Sequence, residues 1–167
     1  KFYDKNGNLL TSAADPEYIA PHCKKYEDYD RVMDAGASSK NIYFIRYADL
    51  ILLYAECLLA ENDLAGAKQQ VIRVRNRAKV STPITASNNT EMLDFIYEER
   101  MRELGMEGWR RMDLIRRGAD YFAAQVDKYN PFAKGNVQPY HAFYPIPTNE
   151  INMNDGIGAE DQNEGYK

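Results

Sequence analysis

A chain of 167 residues with 44% hydrophobic and 12% aromatic side chains is one ordinary domain or a large piece of one, and its capacity to bury a core excludes wholesale disorder. The net charge of -4 argues against broad nucleic-acid binding, which draws affinity from surplus Lys and Arg neutralising phosphate. The two cysteines, Cys23 and Cys57, form no CxxC and no zinc spacing.

The chain starts at "KFYDKNGN" with no initiator Met, signal peptide or lipid-attachment cysteine. The expectation is that targeting has been removed or that a larger part of the protein precedes it. Residues 1 to 41 place Gly, Asn, Asp, Ser and Pro at short intervals among tyrosines 3, 18, 26 and 29. No sustained period appears, so an irregular lead-in with at most one short helix is expected.

From Ile42 to Glu61 the pattern is helical and apolar nearly all round, which predicts contacts on several sides. The apolar run from 48 to 60 contains Asp49 and Glu56. It falls short of the roughly 20 apolar residues a bilayer requires. A free buried thiol is the expected state of Cys57, with a Cys23–Cys57 disulfide as the alternative. "END" at 61 to 63 breaks the helix, and Asp63 is a good N-cap for the next one. That helix shows a clean stripe of Leu64, Ala67, Val71, Val74 and Ala78, and so short a break makes an antiparallel pair over 42 to 79. One stripe cannot cover a helix apolar all round. An exposed apolar surface around Leu50, Leu53 or Leu58 is therefore expected, to be covered by a preceding part of the protein or by a second chain.

After a loop at 80 to 90, Asn89 or Thr90 is the expected cap of a third helix, with Glu91 favourably placed in its first turn. Its stripe is Leu93, Ile96, Arg100 and Leu104, and Gly105 reads as its stop. A fourth helix is predicted from about Trp109 to Arg117, stopped by Gly118, and a weaker fifth from Asp120 to Tyr129. Residues 130 to 167 read as extended, with Thr148 capping at most a short turn. The class is mainly α.

Residues 98 to 118 hold six arginines against Glu98, Glu99, Glu103, Glu107 and Asp113. This is a mixed network and no phosphate footprint. Arg100 and Glu103 lie on the apolar stripe of their helix, so they are expected to point toward protein. Asp113 has Arg110 and Arg117 one turn to each side, and a planar guanidinium can serve two carboxylates at once. Arg100, Glu103, Arg110 and Asp113 are thus read as a structural ion network. Glycosidase chemistry would need two carboxyls about 5 to 10 Å apart across an open cleft, one held protonated. Glu103 and Glu107 could supply such a spacing, but the adjacent arginines favour the wrong protonation state for a general acid. No catalytic residue is assigned. Trp109 reads as a core anchor. His22 and His141 are far apart without ligand neighbours, there is no GxSxG and no glycine-rich phosphate loop, and no metal or cofactor is expected.

Sugar sites combine aromatic faces, on which pyranose C–H groups stack, with planar donors and acceptors for hydroxyls. The loop "YIAPHCKKYEDYDR" offers Tyr18, Tyr26, Tyr29, Asp30 and Arg31 in that style, and "YNPF" at 129 to 132 is a second candidate. Tyrosine-rich loops also act as lids or bind partners, and that reading stays open.

Residues 51 to 71 fit the tetratricopeptide pattern in kind, with Ile51, Tyr54, Ala55, Leu58, Ala67 and Val71 at its positions. Beyond this repeat, "IRYADLILLYAECLLAENDLAGAKQQVIRVRNRA" (45 to 78), "IYEERMRELGMEGWRRMDLIRRG" (96 to 118), "YPIPTNEINMN" (144 to 154) and "QNEGY" (162 to 166) occur in order. Together they resemble the C-terminal region of SusD/RagB-type proteins; residues 1 to 41 carry no such block. The resemblance implies an all-α scaffold with tetratricopeptide-like hairpins. The residues themselves divide the chain into a loop-rich lead-in (1–41), a helical hairpin (42–79), a charged helix block (90–129) and an extended C-terminal segment (130–167). The resemblance further implies a lipid-anchored, non-enzymatic, glycan-binding component of an outer-membrane uptake system. Such a protein hands oligosaccharide to a TonB-dependent (SusC-like) transporter, with its anchor on an N-terminal half absent here. The alternatives from the residues alone are a helical-repeat module with a protein ligand and a hydrolase.

Overall fold

The computed structural model describes residues 2–3, 9–10, 24–26, 38 and 40–167. The chain divides into two units, Lys1–Phe44 and Ile45–Lys167.

In the first unit, β1 (Phe2–Tyr3) pairs antiparallel with β2 (Leu9–Leu10), Phe2 opposite Leu10. A 3-10 turn covers Lys24–Tyr26. This short ladder falls within the lead-in for which an irregular segment was expected.

The second unit is built from helices. α1 (Tyr47–Ala60) and α2 (Leu64–Arg77) form the antiparallel hairpin. α1 begins at Tyr47 rather than Ile42, because Arg46 at its N-cap is fully extended. Asp63 caps α2 by accepting from the Gly66 amide at 2.8 Å. Ala55 and Ala67 are both wholly buried, and their missing side-chain volume lets the two helices approach while Leu52 and Val71 fill the space beside them. α3 (Asn89–Glu103) lies across this pair and buries Met92 and Ile96 completely. Its cap is Asn88, one residue before the expected position, which accepts from the Glu91 amide at 3.0 Å.

α4 (Arg110–Arg116) and α5 (Ala119–Tyr129) are joined at Gly118, whose φ of 103° is open to glycine but costly for any side chain. They enclose a second, smaller core of Leu114, Phe122 and Ala142. The C-terminal segment is less extended than expected, since α6 (Thr148–Met153) and 3-10 turns at Pro139–Ala142 and Ala159–Asp161 interrupt it. The mainly α class expected from the sequence is what this unit shows. Among the described residues, no helix is long and apolar enough to cross a membrane.

One face of α1 is largely open in this unit, with Arg73 of α2 reaching only Tyr47 at its start. Tyr47, Leu50 and Tyr54 are each at least half exposed, and Cys57 continues the line as an exposed free thiol. The expected burial of Cys57 is therefore corrected: it points away from α2 and α3. Cys23 lies outside the described residues. Leu58, one of three leucines expected to be exposed, packs against the main core, so the apolar line runs through Leu50 and Tyr54 instead.

Candidate functional site

Three ion clusters run along α3. In its last turn Arg100, with 2% of its side chain exposed, meets Asp49 of α1 at 2.7 Å and Asp113 of α4 at 2.9 Å. Asp113 accepts from the Arg100 Nε at 2.9 Å. The contact with Asp49 is a close pairing of charges at its Oδ1. Burial opposes the charge on Arg100, but Asp113 and Asp49 together raise its pKa above the ordinary arginine value. Arg116 extends the cluster with a two-pronged contact to Glu56, 3.0 Å on each arm. These bonds to Glu56 are the main reason its pKa is raised.

The second cluster joins α2 to α3. Arg75 donates to Glu99 at 2.9 Å and to the Thr82 carbonyl at 2.6 Å, while Arg102 meets the same Glu99 carboxylate at 2.8 Å. The third lies at the C-terminal end of α3, where Arg46 holds Glu103 at 2.6 Å and Glu107 at 2.9 Å, with Arg77 on Glu103 at 2.6 Å.

The structure thus brings Arg100 and Asp113 together and places Glu103 in a separate cluster. Arg110 departs from its expected role beside Asp113: its Nη1 donates to the Tyr97 carbonyl at 3.0 Å. Arg117 likewise turns to Asp94 and to the ring of Tyr121. The partners of Asp113 are Arg100 and Arg116. Glu103 and Glu107, the pair weighed for hydrolytic spacing in the sequence, both bind the Arg46 guanidinium, and Glu103 binds Arg77 as well. Trp109 is only half-buried, at the N-cap of α4. Of the further partners, Arg46 carries no signal of its own in the sequence, whereas Asp49 and Glu56 stand out as acids inside an otherwise apolar run.

The stacked charges also act on Tyr97. Its ring is 3% exposed, and its hydroxyl lies 3.4 Å from Glu56. Burial, reinforced by the negative charge of Glu56, pushes its pKa up to about 12.

Of the tyrosine-loop candidates, Tyr26 is half-exposed in its 3-10 turn. Tyr18, Tyr29, Asp30 and Arg31 lie outside the described residues. In "YNPF", Tyr129 ends α5 and Phe132 is 95% exposed. Among the described residues no group of three or more His, Cys, Asp or Glu could hold a metal ion.

The last two sequence blocks turn out to be one device. Gln162 grips Ile146 from both sides, accepting from its amide at 2.7 Å and donating to its carbonyl at 2.9 Å. Asn163 donates to the Tyr144 carbonyl at 2.7 Å, and the Tyr166 hydroxyl donates to the Phe143 carbonyl at 3.1 Å. Side chains of "QNEGY" therefore satisfy the backbone of "FYPI", where Pro145 prevents a regular ladder. Arg111 ties this joint to α4, donating to the His141 and Ala142 carbonyls at 3.0 Å each and lying 4.1 Å from the Tyr144 ring centre.

The helical hairpin, the arginine clusters on α3 and this C-terminal clamp fall on the blocks that carried the resemblance, and the SusD family profile matches residues 2–166. The chain belongs to the SusD family. The match reaches into residues 1 to 41, where no block was recognised. A SusD-like protein, P25, of Formosa agariphila is 34% identical over 134 residues, covering 77% of this chain and 25% of that protein. The starch-binding protein SusD of Bacteroides thetaiotaomicron is 32% identical over 142 residues, covering 81% of this chain and 23% of its own length. A second Formosa agariphila protein, SusD-like protein P38, is 34% identical over 84 residues, 46% of this chain and 17% of that protein. The chain spans about a quarter or less of the length of these relatives. No solved structure matches it significantly.

Proposed function

We propose that this chain is the C-terminal scaffold of a non-catalytic glycan-binding protein that works in nutrient uptake at the outer membrane and delivers oligosaccharide to a TonB-dependent transporter. The observation that carries this reading is similarity, over 81% of the chain, to a relative named for starch binding. The arrangement of acids and arginines agrees with it, because the buried carboxylates Asp49, Asp113, Glu99 and Glu103 are each held by a guanidinium. The lipid anchor and the first helical repeats would belong to the remainder of a protein about four times as long, to judge from the share of the relatives covered. The exposed line Tyr47, Leu50, Tyr54 suits a further helix of that remainder.

A second reading is favoured by the same exposed line: a helical-repeat module whose ligand is a protein. Electrophoresis of the chain through gels cast with soluble starch, inulin or mannan separates the two. Retardation in at least one polysaccharide gel, relative to an empty gel, is the expected result. Unchanged mobility in all of them would overturn the glycan reading and leave the protein-binding one.

A further inference from the structure

We propose that the open pocket at the C-terminal clamp is a binding site for a neutral pyranose unit of a glycan, a refinement that rests on the glycan reading above. The pocket encloses about 710 Å³ and is lined by Gln138, Tyr140, Phe143, Asn163, Glu164 and Gly165, among others. This volume is in the range of small-molecule sites, which combine apolar walls with a few fixed polar groups.

Each part of the lining has a chemical use. The Phe143 ring is 58% exposed although its backbone is held by Tyr166. It offers an apolar face to sugar C–H groups from a backbone position that this bond holds in place. Gly165, at a φ of 85°, lies so close to the Tyr140 ring that a Cβ there would sit 2.2 Å from it, and Tyr166 packs edge-on to the same ring at 5.1 Å. The Tyr140 wall is therefore rigid. Asn163 spends its amide nitrogen on Tyr144, which fixes the plane of its Oδ1 acceptor. Gln138 adds a planar amide and Glu164 a carboxylate, an inventory that both donates to and accepts from hydroxyls.

The choice of a neutral sugar follows from charge. Among the described residues no Lys or Arg lines this pocket, and Glu164 is the carboxylate in its lining. A sulfated or uronic sugar would bring a second negative charge beside Glu164, whereas an uncharged pyranose would not.

The test is an amide-shift titration of the whole chain by two-dimensional NMR, with maltose as the neutral probe and a uronic-acid disaccharide as the anionic one. Maltose should shift the Asn163, Gly165 and Ala119 amides, and the anionic probe should not. Phe143→Ala, at an exposed ring, should weaken maltose binding about 2- to 10-fold with the spectrum otherwise retained, the scale of one lost aromatic contact. Glu164→Gln should narrow the gap between the two probes. If maltose shifts amides elsewhere and Phe143→Ala binds like the parent, this pocket is not the site while the glycan reading stands. If the polysaccharide gels retard the chain but the anionic probe binds here as well as maltose, the neutral specificity is overturned. If neither probe shifts any amide and the gels also fail, both readings fall together.

Discussion

Arg100→Met removes the charge at the centre of the α3 lattice while keeping most of the side chain's length, so it isolates electrostatics from packing. Asp49 and Asp113 are 3% and 2% exposed. Without Arg100, Asp113 retains only the 3.3 Å contact with Arg116, and Asp49 loses its 2.7 Å partner altogether. Orphaning a buried charge costs about 3 to 5 kcal/mol. At roughly 2 to 4 °C per kcal/mol for a chain of this size, the midpoint of thermal unfolding should fall by about 6 to 20 °C. By contrast, the exposed Glu98–Arg102 pair, 3.6 Å apart, should cost only a few tenths of a kcal/mol when broken. Scanning calorimetry at constant pH measures both. A second arm replaces Asp49 and Asp113 by Asn in the Arg100→Met background, and with no charge left unpaired it should recover much of the loss. If Arg100→Met melts like the parent, or the neutral triple variant is no better than the single one, the buried charges do not hold these helices in the way the distances imply.

Ala67→Leu, at a wholly buried crossing point of α1 and α2, should destabilise by about 1 to 3 kcal/mol through overpacking. Ala65→Leu, on the exposed side of the same helix, should stay within about 0.5 kcal/mol; chemical denaturation of the two side by side checks the contrast. Tyr97 has a folded-state pKa raised to about 12, so its contribution is fully present below the unfolded value near 10 and is lost as pH rises through 12. Tyrosinate absorbance should show one tyrosine ionising late, and Tyr97→Phe should remove that step and flatten the alkaline fall in stability.

The helices were legible because caps and periodicity agree: Asp63 precedes a stripe of Leu64, Ala67 and Val71, and Gly118 marks the α4–α5 joint. The start of α1 was not, since Ile42 to Ile45 are as apolar as the helix itself and carry no stop signal. An all-round apolar pattern likewise gives no direction, which is why Cys57 was placed inside and is found outside. For the charges, position on a stripe pointed Arg100 inward, but its partner Asp49 is 51 residues away and periodicity cannot name it. The clamp of Gln162, Asn163 and Tyr166 on residues 143 to 146 joins side chains to backbone across a segment without a period. Its chemistry was visible only as two unexplained sequence blocks. The pocket beside it could not be anticipated from either block alone.

Binding without turnover is the central claim. Isothermal titration of the chain with soluble maltooligosaccharides, followed by chain-length analysis of the recovered sugar, measures both halves of it in one sample. Saturable heat with every saccharide recovered at its starting length is the result expected of a binder built on guanidinium-held carboxylates. Shortened saccharides, or no heat from any chain length, would contradict it.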